Sequence, residues 1–193
     1  LSISSYSVEV QKLDMDTPRP LLFEMVARSF FSIDRASTLE IPLNFLRRAQ
    51  RCLHEDRYIE SYYYYFFVLE TLFAPGLSNP KRVVEKLFAN PEVLSSIERV
   101  KGSTDDLAQQ SPEVRKLLRL DNRKLLEHFV KVRGNLHHHS PKGPSAWHPE
   151  KAADMKADCH ALSLIVHRML LSSATYAMYT EDVSKELFKS AEK

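Results

Sequence analysis

The chain has 193 residues, of which 44% are hydrophobic and 27% are charged, a balance typical of a soluble globular protein that can build a real core. Its formal net charge of +2 is too small to indicate nucleic-acid binding by itself. Only four glycines occur and strand-type alternation is scarce, so the composition favours helices over sheets.

The first 34 residues are predicted to form an N-terminal extension of the main domain. Residues 5–13 alternate between polar and apolar side chains, which fits one short strand, and Pro18 and Pro20 end it. A helix is expected to follow over about residues 19–31. Because the chain begins with Leu-Ser-Ile-Ser and no methionine, we expect a fragment of a longer protein, with an upstream regulatory domain before the extension.

Residues 35–180 are predicted to form an all-α, up-and-down helical bundle with a long final helix. Apolar side chains recur at helical spacing, and proline-containing pairs separate the segments. Two helices are expected to start after the capping residues Ser111 and Asp121. The other helices are expected over about residues 42–53, 58–73, 80–89, 91–100 and 149–179. The charged residues 181–193 are expected to form a frayed tail.

The cysteines and the most apolar segment bear on the cellular compartment. Cys52 and Cys159 occupy apolar helical positions without CxxC spacing, which is typical of buried thiols in a reducing compartment. The apolar run over residues 161–180 is interrupted by His167 and Arg168, so it is too polar to span a membrane. Because no signal peptide is recognisable, we expect a cytoplasmic protein without a membrane partner.

The most informative segment covers residues 132–140, where one arginine and three histidines follow a periodic apolar stretch. At about 100° per residue, Arg133 falls on the apolar face of the predicted helix. A guanidinium carries five N–H donors and cannot lose its charge, so burying it without a partner is costly. His137, His138 and His139 follow, and histidine is the side chain whose ordinary pKa lies nearest neutrality. The apolar face comprises Leu125, Leu126, Phe129, Val130, Val132 and Leu136.

Structural interpretations compete with a functional one for these residues. Glu70 shares a predicted helix face with aromatic residues, so a buried ion pair between Glu70 and Arg133 is expected, with or without a function. A metal site made by the three histidines is disfavoured, because adjacent residues of a helix point in different directions. The tyrosine run over residues 62–65 is expected to be core and dimer surface, with stacking of nucleic-acid bases as an alternative.

The arginine–histidine spacing has a counterpart in a known family. Four residues separate Arg133 from His138, and five separate it from His139. Together with the aromatic segment 58–73 and the long predicted final helix, this pattern resembles the HEPN domains. These are all-helical nucleotide-binding or ribonuclease domains marked by an arginine, four to six residues and a histidine. The resemblance covers about residues 40–180. The same run resembles, more weakly, helical accessory proteins of methylamine utilisation.

The resemblance implies a metal-independent endoribonuclease or RNA-binding effector in defence or stress response, which forms a homodimer and needs no cofactor. Histidines would act as base and acid at the 2′-hydroxyl and the leaving 5′-oxygen, and arginine would stabilise the charged phosphorane. Cleavage would leave a 2′,3′-cyclic phosphate. The implied catalytic residues are Arg133, His138, His139 and Asn135, with Glu70 and His137 in support and Lys131 and Arg123 binding RNA or nucleotide.

Gly134 departs from the family's pattern, because active HEPN members usually carry a polar residue, often asparagine, after the arginine. In this chain the asparagine comes one position later, at Asn135. In an unbroken helix, His137 lies one turn after Arg133, and the next histidine points about 140° away from it. A site that uses His138 therefore requires the helix to end or bend near Gly134.

Two features of the sequence favour different functions. Gly134 favours the alternative function, a non-catalytic nucleotide- or protein-binding helical module. Residues 111–133 contain seven basic and three acidic side chains, which favours RNA as the ligand. A solvated helix surface explains the same charge pattern, so the charges alone do not choose between the two functions.

Overall fold

The structure is a computed structural model that describes residues 25, 27–29, 32, 37–103, 110–137 and 149–191. These residues form helices and contain no strand, so the predicted all-α class is confirmed. In chain order the α-helices are α1 Glu40–His54, α2 Tyr58–Phe73, α3 Pro80–Phe88, α4 Pro91–Gly102, α5 Pro112–Leu118, α6 Asn122–His137, α7 Lys156–Met178 and α8 Glu181–Ala191. None of these helices is both long and apolar enough to cross a membrane. The strand predicted over residues 5–13 lies outside the described residues.

Four helices begin where the sequence supplies a capping side chain. Each cap accepts a hydrogen bond from a backbone N–H of the first helical turn, which has no acceptor inside the helix. The caps are Asn79 at α3, Asn90 at α4, Ser111 at α5 and Asp121 at α6. Proline follows directly at the start of α3, α4 and α5, where its missing N–H costs nothing. The positions of these helix starts are therefore determined locally.

The aromatic helix α2 lies at the centre of the bundle. It packs against α1 and against α7, and its side chains Tyr62, Tyr65 and Phe66 are fully buried. The Tyr62 hydroxyl donates a 2.7 Å hydrogen bond to the backbone oxygen of Phe129 in α6. This bond joins the central helix to the helix that carries Arg133. The prediction that the tyrosine run contributes to the core is confirmed.

The predicted helix bounds differ from the observed ones at both ends of the bundle. A 3-10 turn over Ser37–Leu39 leads into α1, and a second over Pro149–Met155 leads into α7. The largest difference follows residue 180, where α8 forms and Val183 is fully buried. The expectation of a frayed tail over these residues is wrong, because burial of Val183 removes apolar surface from water and stabilises the helix.

The N-terminal extension contacts the C-terminal end of the chain. Residues 25 and 27–29 are helical, and Arg28 is 7% exposed. Arg28 Nη1 donates a 3.0 Å hydrogen bond to Ser184 Oγ of α8, and its guanidinium carbon lies 4.7 Å from the Tyr179 ring centroid. The predicted extension and the segment after residue 180 are therefore in contact with each other.

Candidate functional site

The candidate site is centred on an ion pair between α6 and α2. Arg133 Nη2 and Glu70 Oε1 are 2.9 Å apart, and the two side chains are 17% and 16% exposed. The residues lie 63 positions apart in the sequence, so the fold brings them together. The prediction that these two charges meet on apolar helix faces is confirmed.

The ion pair leaves polar atoms without hydrogen-bond partners. The contact between Arg133 Nη2 and Glu70 Oε1 does not have the geometry of a hydrogen bond. Neither Glu70 Oε1 nor Arg133 Nε has a hydrogen-bond partner among the described residues. Both atoms are buried, and an unsatisfied buried donor costs about 1–3 kcal/mol. The guanidinium carbon lies 5.9 Å from the Phe66 ring centroid, so an aromatic ring covers part of the cation. Arg133 is thus held in place while part of its donor capacity is unused.

Burial dominates the electrostatics around the pair. It raises the pKa of Glu70 above the ordinary value of 4.5, and the charge of Arg133 only partly opposes this shift. Burial also raises the pKa of Tyr63, again against the opposing effect of Arg133. Both shifts indicate surroundings of low polarity, in which an anion interacts with a cation more strongly than it does in water.

Helix α6 passes through Gly134 without a break and is described to His137. His137 is therefore placed one helical turn after Arg133, the register that makes it an i+4 neighbour. The end or bend near Gly134 that a site with His138 requires is not observed there. His138 and His139 lie outside the described residues, as does the loop after them, and of His137 only the backbone is described.

The remaining predicted site residues lie on a different face of α6. Lys131, Gly134 and Asn135 line a groove of about 560 Å³ between α3 and α6, to which Arg123 also contributes. Because two helical residues correspond to about 200°, Asn135 and Lys131 each point away from Arg133. The structure therefore brings Arg133 together with Glu70, but it does not bring Asn135, Lys131 or Arg123 to the ion pair.

Arg123 is already engaged in ion pairs on the surface. Its guanidinium contacts Glu85 of α3, and its Nε lies 3.2 Å from Glu127 Oε1 one turn along α6. Its guanidinium carbon is 5.4 Å from the Phe88 ring centroid. Exposed pairs of this kind contribute little to stability, so a phosphate can displace the carboxylates at modest cost.

Sequence reasoning missed part of the surface beside the ion pair. Helix α1 places Phe45 against Tyr64 and Phe67 of α2, and Arg48 lies over the Tyr64 ring. We name the four partly exposed rings Phe45, Tyr63, Tyr64 and Phe67 the aromatic strip. The available signal was the spacing of Ile41, Phe45 and Arg48, which puts these three residues on one face of α1.

A histidine–carboxylate pair was also missed. His128 Nε2 of α6 contacts Asp158 Oδ1 of α7, and the side chains are 32% and 16% exposed. His128 precedes Arg133 by five residues and therefore lies on another face of the helix. No local pattern signals this pair, because its two members lie 30 residues apart in different helices.

A groove larger than the one between α3 and α6 lies away from the arginine–histidine segment. It has a volume of about 920 Å³ and lies between α2, α4 and the C-terminal half of α7. Its lining includes Leu72, Phe73, Arg99, Leu171 and Tyr176. Size alone therefore does not single out the Arg133 region, which is a candidate site because of its chemistry.

Comparison with family models, with curated proteins and with solved structures finds no match to this chain. The similarity to HEPN domains therefore stays a prediction that rests on the arginine–histidine spacing and its helical context.

Proposed function

We propose that this chain is a HEPN-like, metal-independent endoribonuclease or RNA-binding effector domain that acts in defence or stress response. The observation that carries the proposal is the part-buried Arg133 guanidinium. Glu70 holds it through Nη2 at 2.9 Å, and the side chain keeps 17% of its surface exposed although its Nε is buried. A guanidinium held in this way presents N–H donors to a phosphate without first having to be ordered.

Each step of RNA cleavage has a candidate residue in this segment. A histidine of the run 137–139 takes the proton from the 2′-hydroxyl, and a second gives a proton to the leaving 5′-oxygen. Arg133 stabilises the negative charge that develops on the phosphorane. Lys131, Arg123 and Asn135, which line the α3–α6 groove, contact phosphates farther along the strand and position the RNA.

The test of the proposal is cleavage of single-stranded RNA in the presence of EDTA. We expect cleavage to continue, because the mechanism uses protein side chains alone, and we expect products with 2′,3′-cyclic phosphate ends. Arg133→Ala should lower the rate by about 100-fold or more, the usual effect of losing one charge-stabilising donor. Arg133→Lys should fail nearly as badly, because an ammonium group does not reproduce the planar fork of donors.

The histidine variants identify which residue acts with Arg133. The family's spacing predicts that His138→Ala is the most damaging change, followed by His139→Ala. The unbroken course of α6 through Gly134 supports His137 instead. Loss of activity in His137→Ala alone would mean that the helical register decides the pairing and that the family alignment is wrong by one residue.

The second candidate function is a non-catalytic module that binds a nucleotide or a protein. It is favoured by the same unbroken helix and by the position of Asn135 on the face opposite Arg133. Under this alternative the wild-type chain binds RNA or a nucleotide but releases no cleavage product. Gly134, where active relatives carry a polar side chain, is then the expected reason for inactivity.

The proposal includes the setting in which the domain works. We propose a two-fold homodimer in the cytoplasm, regulated by a domain upstream in a longer chain. Pairing of two copies would bring two Arg133 side chains to a shared cleft, which is the arrangement that the HEPN resemblance implies.

A further inference from the structure

The aromatic strip is a continuous run of ring contacts across the face of α2. The Tyr63 and Phe67 ring centroids are 6.1 Å apart, and Phe67 lies 6.5 Å from Tyr64 and 5.3 Å from Phe45. Phe45 and Tyr64 stack with centroids 6.3 Å apart. All four side chains are partly exposed, unlike the fully buried Tyr62 and Tyr65 on the opposite face of α2.

A positive charge lies at each end of the aromatic strip. At one end, Glu70 follows Phe67 by three residues on the same face of α2, and its carboxylate lies 2.9 Å from Arg133. At the other end, the guanidinium carbon of Arg48 lies 5.9 Å from the Tyr64 ring centroid. Arg48 and its neighbour Arg47 are exposed, and neither forms an ion pair with another described residue.

We propose that the aromatic strip is the path along which single-stranded RNA reaches Arg133. Bases stack on the exposed rings, and backbone phosphates contact Arg48 at one end and Arg133 at the other. Rings between cations supply the two interactions that single-strand binding uses, base stacking and phosphate neutralisation. A double helix keeps its bases stacked inside, so the rings select a single strand. This inference rests on the proposed function and names the route of its substrate.

The charge pattern favours nucleic acid over a second copy of the chain on this surface. In a two-fold interface each patch faces the same patch of its partner. The aromatic strip carries a cation at each end, so pairing two copies of it end to end brings arginine side chains of the two copies near one another, and like charges at an interface disfavour association. A polyanion instead releases counterions when these arginines bind it.

The test measures binding of a short fluorescein-labelled oligouridine to the full chain by fluorescence anisotropy at several salt concentrations. Tyr64→Ala should weaken binding about tenfold, and Tyr64→Phe should retain it, because the ring and not the hydroxyl stacks on a base. Arg48→Gln should lower the slope of log Kd against log salt by about 0.7, the value for one phosphate contact on a single strand.

Arg51→Gln is the matched control for the charge change. Arg51 is on the same helix but is held by Glu55 at 3.0 Å and does not contact the aromatic strip, so affinity and salt slope should stay as in the wild type. Thermal unfolding of every variant separates a lost contact from a lost fold. An abasic oligonucleotide of the same length separates stacking from charge. Tyr64→Ala should not weaken its binding further, whereas Arg48→Gln should.

The outcomes distinguish this inference from the proposed function. If the wild type binds oligouridine and Arg133→Ala abolishes binding, while Tyr64→Ala and Arg48→Gln bind normally, the path is wrong and the proposed function stands. If the wild-type chain binds no RNA, both are wrong. If Tyr64→Ala changes the oligomeric mass but not the RNA affinity, the aromatic strip is a protein contact and the inference is overturned.

Discussion

At the scale of single residues, the Arg133–Glu70 pair combines burial with incomplete hydrogen bonding. The Coulombic attraction between the two charges offsets part of the cost of removing them from water, but the unsatisfied Nε and Oε1 atoms add to that cost. Such a pair stabilises the fold only weakly compared with apolar residues of similar volume. The pair therefore fixes the position of the guanidinium more than it stabilises the fold.

The contribution of the ion pair is measurable by thermal or urea unfolding. Glu70→Ala should lower the free energy of unfolding by roughly 2–4 kcal/mol, because it leaves the charge of Arg133 buried without a partner. Adding Arg133→Met removes that charge, so Glu70→Ala/Arg133→Met should be less destabilised than Glu70→Ala alone. Equal destabilisation of the two variants would contradict a coupling between these residues.

The raised pKa of Glu70 predicts a pH dependence with a definite sign. The folded chain keeps the Glu70 proton to a higher pH than the unfolded chain, so it binds more protons in the window above the ordinary pKa of 4.5. The free energy of unfolding is therefore highest below that window and falls as the pH rises through the folded-state pKa. Arg133→Met removes the charge that lowers the pKa of Glu70. The pH range between the unfolded-state and folded-state pKa values should therefore widen, and the free energy of unfolding should fall further as the pH rises through it.

Urea unfolding between about pH 4 and about pH 7 measures this effect. The double variant Arg133→Met/Glu70→Gln is the control for the single variant Arg133→Met. Both variants lack the arginine, but residue 70 can titrate only in the single variant. The two stability profiles should diverge as the pH rises. Parallel profiles would mean that Glu70 titrates at its ordinary pKa in the folded chain and that burial does not dominate at this position.

The ion pair was predictable from sequence, but the rest of the candidate site was predictable only in part. Arg133 and Glu70 each interrupt an apolar helix face, and two such charges have few other partners in a small core. The separation of Asn135 from Arg133 follows from helical geometry once α6 is known to continue through Gly134. That continuity was not predictable, because glycine both permits and weakens a helix and the sequence does not indicate which effect prevails.

At the scale of the helices, Gly134 is the informative position. A Cβ atom built there meets no other atom within 4 Å, so Gly134→Ala fits the observed helix. We expect it to raise the free energy of unfolding by about 1 kcal/mol, the difference in helix propensity between the two residues. Differential scanning calorimetry should show a melting temperature higher by about 2–4 °C.

Gly76→Ala provides a control of opposite sign. Gly76 also has open space around it, but its φ of +72° belongs to the left-handed region that side chains disfavour. This substitution should therefore destabilise the chain while the one at Gly134 stabilises it. A loss of stability in Gly134→Ala would indicate that α6 bends at this position in solution, as an active site with His138 requires.

Helix positions were predicted well wherever local chemistry determines them. Asn79, Asn90, Ser111 and Asp121 each supply a cap that is visible in the sequence, and the helices begin there. α8 was missed because its stability depends on burial of Val183 and on the contact of Ser184 with Arg28, 156 residues earlier. A long-range contact of this kind leaves no local pattern, so charged composition alone suggested a frayed tail.

At the scale of the whole molecule, the exposed apolar surface is unevenly distributed. The large apolar side chains exposed at the end of α7, in the turn after it and on α8 are Leu171, Tyr176, Tyr179 and Phe188. An accumulation of exposed apolar residues on one part of a surface is typical of a protein–protein contact. The tyrosine run over residues 62–65, which was expected to be core and dimer surface, is partly unavailable for a dimer contact because Tyr62 and Tyr65 are fully buried.

These exposed positions predict that two copies of the chain assemble. Light scattering should give twice the 22.3 kDa mass of one chain, because two copies that pair through α7 and α8 remove this apolar surface from water. Leu171→Glu should shift the protein toward the monomer, since it introduces a charge into the contact. Ile41→Glu is the matched control, because Ile41 is 60% exposed against 59% for Leu171 but lies on α1. A monomer mass for the wild type across micromolar concentrations would contradict the dimer and, with it, any mechanism in which two Arg133 side chains share one cleft.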